Sequence, residues 1–536
     1  MLLRRIIPRI ASSLFAAILC ALTSSCLLAE SPKDHGYNQL YRPQFHFSPR
    51  INWTNDPNGL VFFEGEYHIF YQYNPFGADW GHMSWGHAVS QDLVHWKELP
   101  VAIPEGDGNM IFTGSTVIDR NNTSGFCTGG KPCMVAVYTG HTPETPTGKP
   151  LQTQNLAYSN DRGRTWTKYS LNPVLDRHMS DFRDPKVFWS EQARHWVMAV
   201  SLPNEHKVSF YGSPDLKKWE HLSDFGPEGA VAGQWECPEL FELPVDSHPT
   251  HTRWVLKVGL NPGALQGGSG EQYFVGRFDG TRFINDNSTT LQLWTDYGKD
   301  CYCALTFNGL PKTPSAAHPQ TQPLAAPQTM IGWMSNWQYA GKLPTDPWRG
   351  QMTFPRKLAL RTTSDGLRLI QLPSDAITKL HKPPFTRFIG TEKEVNKHLN
   401  GHTRGDKMVD LTATITLGSA KQAGLRLLSG DGSSTQVGYD REREELFIDR
   451  SDSGETGFSK DFPARISAPL QLTRQGLLQL RILVDRSSIE VFAEHGRVVM
   501  TELVFPKQNG KRISVFSENG KLGGVSVRVW TVASIW

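Results

Sequence analysis

Long stretches of helical periodicity are scarce in this chain; from about residue 45 onward the apolar residues alternate with a period of two, bounded by Gly, Pro, Asn and Asp. That scarcity predicts an all-β protein. Charge of one sign is also lacking: 55 Lys and Arg against 52 Asp and Glu leave +3 over 536 residues. Neither nucleic acid nor an anionic membrane surface is favoured as a partner. No apolar run after the N-terminus is long enough for a membrane helix. Cysteine is sparse, with five after residue 30: Cys127, Cys133, Cys237, Cys301 and Cys303. No pair of them has zinc-ligand spacing with histidines nearby and no His-Glu-x-x-His occurs, so no metal is expected.

What is present begins with an export signal over residues 1–30. Arg4, Arg5 and Arg9 form its basic start, and Ile10 to Thr23 is an apolar stretch too short to span a bilayer comfortably. The mature chain is therefore expected outside the cytoplasm, whether secreted, periplasmic or lipid-anchored. Leu22-Thr23-Ser24-Ser25-Cys26 is a degenerate match to a lipoprotein signal, which leaves lipidation at Cys26 open. In an oxidising compartment Cys127 and Cys133, which bracket a Gly-rich loop, could pair, and the odd count leaves at least one free thiol. Hydrophobic residues make up 38% of the chain, ample for sizeable cores, and the 16 tryptophans offer flat apolar faces suited to sugar rings.

A weak repeat runs through the first two thirds: Ser90-x-Asp92 before Trp96, Ser159-x-Asp161 before Trp166 and Ser213-x-Asp215 before Trp219, with a looser echo at Asp279 to Phe283. Each closes a stretch of strands, and the spacing of roughly 55 to 70 residues suits four-stranded blades with insertions. Blade starts fall at Asn55, Phe112, Arg183, Trp235 and Cys301. These predict a five-bladed β-propeller over 40–365. A linker over 366–384 then leads into a second set of alternating strands, a C-terminal β-sandwich over 385–536.

Three blade starts carry a carboxylate near a proline ahead of a hairpin: Asp56-Pro57, Asp184-Pro185 and Glu236-Cys237-Pro238. Around one axis they would converge on one pocket. Retaining glycosidases need a carboxylate nucleophile and a carboxylic acid about 5 to 5.5 Å apart, and clustered carboxylates push their pKa values apart. Arg183 is expected to be the cation that holds Asp184 ionised, and the Cys237 thiol a weak donor beside Glu236. Trp53 and Asn55 flank the first aspartate as candidate substrate contacts.

With these residues assembled, the chain resembles glycoside hydrolase family 32, the invertases, inulinases and levanases. The resemblance rests on Trp53-Thr54-Asn55-Asp56-Pro57-Asn58-Gly59, Phe182-Arg183-Asp184-Pro185, Trp235-Glu236-Cys237-Pro238 and, in the second domain, Asp485-Arg486-Ser487-Ser488-Ile489-Glu490-Val491-Phe492. It implies Asp56 as nucleophile, Asp184 as transition-state stabiliser and Glu236 as general acid/base, with no metal or organic cofactor. It further implies substrate contacts at Gln72, Trp80, Phe112, Thr113, Ser115, Arg183 and Trp337. Thr54 and Thr113 depart from the family's usual Met and Ser. The expected function is an exo-acting β-fructosidase releasing terminal fructose from inulin or levan and also cleaving sucrose. The alternatives are an invertase acting mainly on sucrose and a catalytically inactive fructan-binding protein. The sequence leaves oligomeric state and linkage preference open.

Overall fold

The computed structural model describes residues 36–248, 250–311, 328–402, 408–430, 432–472 and 475–536. The expected export signal and Cys26 lie outside them. Among the described residues no helix is long and apolar enough to cross a membrane.

Seven sheets account for nearly all of the ordered structure, and five of them make a ring. The first strands of these five are Asn52–Phe63, Met110–Asp119, Arg183–Ser190, Gln234–Pro244 and Tyr302–Thr306. Each of them contacts the next, and the last returns to the first, so they surround one axis as the inner strands of a five-bladed propeller. Trp348–Arg349, an insertion within the fifth blade, pairs in parallel with Asn52 and Trp53 of the first. That pairing fastens the ring between its last and first blades.

The Ser-x-Asp repeat is one turn built three times. Ser90, Ser159 and Ser213 each bond the aspartate two residues on, and the following tryptophan indole donates to a backbone carbonyl three residues back: Trp96 to Leu93, Trp166 to Gly163 and Trp219 to Leu216. Each turn joins the third and fourth strands of its blade. A short polar side chain bonding the backbone two or three residues on is the ordinary reason for Asp in a tight turn.

The fifth sheet includes Gly366–Pro373 as its outermost strand. The stretch 366–384 therefore contributes a blade strand, a 3-10 helix at Asp375–Leu380 and the start of the strand His381–Gly390 rather than an unpaired connection. Six- and five-stranded antiparallel sheets follow, with Val, Leu and Ile from both inner faces forming one buried core. The single α-helix among the described residues, Glu392–His402, packs on this sandwich.

Two buried charge networks tie sandwich to propeller. Arg356 of the fifth blade donates to Glu490 (2.6 and 3.1 Å), Asp296 (2.9 Å) and Thr501 (2.6 Å), while His46 lies between Asp485 and Glu490 at 2.8 Å from each. Arg450 pairs with Asp300 and with Glu502 (2.7 Å) and donates to the Tyr339 hydroxyl (2.8 Å). The segment Asp485 to Phe492 is thus an interdomain clamp.

Candidate active site

All five inner strands carry a β-bulge at the same height. The ladder to the second strand slips between Thr54 and Pro57, Ile111 and Gly114, Arg183 and Lys186, Glu236 and Glu239, and Tyr302 and Leu305. Two residues in each bulge are released from regular pairing, which re-aims side chains toward the axis. The three carboxylates occupy three successive positions in this frame. Glu236 is the last paired residue before its bulge, Asp184 the first bulge residue and Asp56 the second. Asp184 adopts φ 67°, as do Cys237 and Cys303 at the equivalent position, with φ 47° and 45°. Alternation along a regular strand would have turned Arg183 and Asp184 to opposite faces; the bulge lets both reach the pocket.

Asp56 and Asp184 are buried, with 9% and 5% of their surface exposed, while the Glu236 side chain keeps 16%. The Thr113 hydroxyl donates to Asp56 Oδ2 (2.8 Å), and Asp56 Oδ1 has no hydrogen-bond partner. Asp184 Oδ2 accepts the Cys237 backbone N–H (2.9 Å), and the Asp184 N–H donates to Thr139 Oγ1 (2.9 Å). Arg183 donates to Glu236 Oε1 from Nε (3.1 Å) and Nη2 (2.9 Å), and the Tyr302 hydroxyl donates to Glu236 Oε2. Gly259, paired opposite Glu236, makes that last contact possible. A Cβ there would lie 2.8 Å from the Tyr302 ring.

Burial, then the neighbouring Asp184 charge, push the Asp56 carboxyl up to about 7, with Thr113 pulling against them. Burial also raises Asp184 to about 7, although the Arg183 charge lowers it. The expectation that Arg183 keeps Asp184 ionised is therefore corrected: its hydrogen bonds go to Glu236, Asp181, Gln234 and Gln152, and burial dominates at Asp184. The expected Cys237 thiol is corrected as well. Cys237 is bonded to Cys303, Cys127 to Cys133, and the free thiol is the buried Cys301.

The other expected contacts distribute as follows. Trp53 is buried and stacks against Trp337, with ring centroids 6.0 Å apart, and its indole N–H donates to Asn55 Oδ1 (2.8 Å). Gln72 donates to the Ile111 carbonyl (3.0 Å). Trp80, 47% exposed, meets Phe112 edge to face at 6.2 Å. Ser115 instead accepts the Val187 N–H (2.8 Å), tying the second blade to the third. Below the carboxylates the axis is plugged by Lys186 and Glu239, paired at 2.6 Å, beside Thr306. The pocket is blind. Asp56 and the Cys237 and Cys303 sulfurs form a compact group of potential metal donors, but the disulfide takes both sulfurs out of it.

The family model described as glycosyl hydrolases family 32 N-terminal domain matches residues 46–373, and its C-terminal counterpart matches 377–531. The chain belongs to glycoside hydrolase family 32. It is 42% identical to a levanase of Bacillus subtilis, over 96% of this chain and 74% of that protein. It is 41% identical to an extracellular exo-inulinase of Aspergillus ficuum, over 97% of this chain and all of that one. The crystal structure of exo-inulinase from Aspergillus awamori superposes with a TM-score of 0.83 at 37% identity, over 93% of this chain and 100% of that chain.

This family 32 chain is a glycoside hydrolase whose pocket includes residues that its motifs did not single out. Tyr302 is the main one. It occupies the register position on the fifth inner strand that Glu236 occupies on the fourth and Arg183 on the third. A blade start at Cys301 already pointed to it, but only the bulge register shows that its ring turns inward. Asp181 and Gln234 hold the Arg183 guanidinium at 2.7 Å each and had no signal of their own.

Proposed function

We propose that this glycoside hydrolase is an exported, exo-acting, retaining β-fructosidase that removes terminal fructose from fructans and also cleaves sucrose. The observation that carries the reading is the convergence of Asp56, Asp184 and Glu236 from three inner strands on one blind pocket. In the first step Asp56 Oδ1 attacks the anomeric carbon while Glu236 protonates the departing oxygen. The bond to the leaving group breaks and a fructosyl ester forms on Asp56. In the second step Glu236 takes a proton from water, the water oxygen attacks the same carbon, and Asp56 leaves as carboxylate. Asp184, held by the Cys237 N–H, binds hydroxyls of the ring and faces the positive charge that develops on it. Arg183 and Tyr302 fix both oxygens of Glu236, so its orientation is set before substrate enters.

The plug of Lys186 and Glu239 supports exo action, because a chain can enter a blind pocket only end-on. Trp337, Trp80 and Phe112 supply apolar walls, with the buried Trp53 stacked against Trp337. The similarity to a levanase and to an extracellular exo-inulinase supports fructan as substrate and export as destination.

Chromatography of the products from sucrose, inulin and levan tests this. Fructose as the sole early product from both polymers is expected. Rapid turnover of sucrose with negligible fructose from either polymer would replace the reading with an invertase. Glu236→Gln should slow fructan hydrolysis by about 10²–10⁴-fold while a fructoside with a good leaving group loses far less in the first step. Equal losses on both would remove Glu236 from the acid's role.

A further inference from the structure

We propose that the Cys237–Cys303 disulfide is a positioning element of the active site, holding the acid/base Glu236 in register with Tyr302 and beside Asp56. The inference rests on the reading of Glu236 given above.

The fourth and fifth blades form separate sheets, and the one isolated bridge between them among the described residues, Val245 to Leu360, lies away from the bulges. Within each blade the ladder is interrupted at the bulge, at the height where Glu236 and Tyr302 turn inward. Backbone hydrogen bonding therefore leaves the spacing between these two side chains undetermined. The disulfide supplies it. Cys237 follows Glu236 and Cys303 follows Tyr302, so the covalent bridge lies one residue beyond the hydrogen bond from Tyr302 to Glu236 and joins the equivalent bulge position of both strands. Among the described residues it is the only covalent tie between inner strands.

Two more contacts pass through the same residue. The Cys237 N–H holds Asp184, and the Cys237 sulfur lies 3.9 Å from Asp56 Oδ2. Both half-cystines are buried, so the bridge is shielded from casual exchange. The second disulfide, Cys127–Cys133, spans a loop at the outer end of the second blade's first two strands and touches none of the three carboxylates.

The test is Cys303→Ala in the full chain, compared with wild type on fructan and on a fructoside with a good leaving group, with Cys127→Ser/Cys133→Ser as the control expected to keep wild-type turnover. A misplaced acid slows the step that needs its proton. The expected result is a fall in kcat on fructan of about tenfold or more with KM little changed, and a much smaller fall on the activated fructoside. Full kcat in a folded Cys303→Ala protein would overturn the proposal. So would equal losses on both substrates accompanied by a lower melting temperature, the signature of a brace for stability alone.

If Cys303→Ala does not fold, the wild-type enzyme is treated with dithiothreitol under native conditions. One thiolate attacks the Cys303 sulfur and releases the Cys237 thiol; the second closes the reagent's own disulfide and frees Cys303, so two electrons pass to the protein. Fructan turnover should fall in proportion to the Cys237 and Cys303 thiols counted by mass spectrometry and return on reoxidation. Undiminished turnover with that bridge open would overturn the proposal. Glu236→Gln assayed alongside separates the two claims. Equal losses in that variant on both substrates refute the role of Glu236 itself, whatever the cysteine variants do.

Discussion

Asp56→Asn should fold, bind fructan and hydrolyse it at least ~10⁴-fold more slowly than wild type, as measured by fructose release under saturating substrate. The isosteric amide keeps the Thr113 contact within reach but cannot form the fructosyl ester, so the first bond is never made. An Asp56→Asn protein as active as the unmodified one would overturn the assigned chemistry.

The same variant should be more stable than wild type at alkaline pH, and the sign follows from the shift. The folded carboxyl titrates near 7 against an ordinary value of 3.8, because burial and then Asp184 disfavour its charge. Between those values the folded protein binds a proton that the unfolded chain has released, so wild type loses stability as pH rises through that window. Asn lacks this penalty. A melting temperature higher by a few degrees at pH 8, with no gain at pH 4, is the expected pattern. Hydrolysis by wild type should also rise as pH climbs from about 5 toward 7, as the Asp56 carboxyl gives up the proton that masks the nucleophile. A kcat/KM profile level from pH 5 to 7 would contradict this.

Glu490→Ala should cost about 3–5 kcal/mol, because it removes one of the two carboxylates paired with the Arg356 guanidinium in an interface with no solvent exposure. For a chain of this size that lowers the melting temperature by about 3–5 °C. Glu490 is far in sequence from every pocket residue, yet it accepts Arg356, His46 and the Phe354 N–H at once. A melting temperature unchanged by the substitution would show that the clamp contributes nothing net. His46 gives the interface a pH dependence of its own. Burial opposes its charge, but the hydrogen bonds to Asp485 and Glu490 prevail and raise it to about 9. A histidine raised above its usual 6.5 stabilises fully below pH 6.5, and that contribution is lost as pH climbs through 9. The advantage of wild type over His46→Gln in melting temperature should therefore shrink between pH 6 and 9.5.

The period-two alternation and the Ser-x-Asp turns made the all-β propeller and sandwich legible, because both express local rules: side chains alternate along a strand, and a short carboxylate closes a turn. The blade starts expected at Asn55, Phe112, Arg183, Trp235 and Cys301 lie within a few residues of the observed inner strands for the same reason. The candidate carboxylates were visible as well, each beside a proline ahead of a hairpin. Arg183 was visible too, but its partner was not. Adjacency in sequence suggested Asp184, whereas the guanidinium reaches across to Glu236 on the next blade.

By itself, then, the sequence determined the strand-rich architecture, its two domains and the carboxylates that a glycosidase requires. Only the tertiary structure decided how those groups are used: that Cys237 is bridged rather than free, that Tyr302 faces Glu236, that Ser115 binds backbone, and that Asp485 to Phe492 clamps two domains. Alternation and turn chemistry act over a few neighbouring residues. Pairings between blades depend on bulge register and on the closure of the ring, which join residues dozens to hundreds of positions apart and leave no periodic mark along the chain.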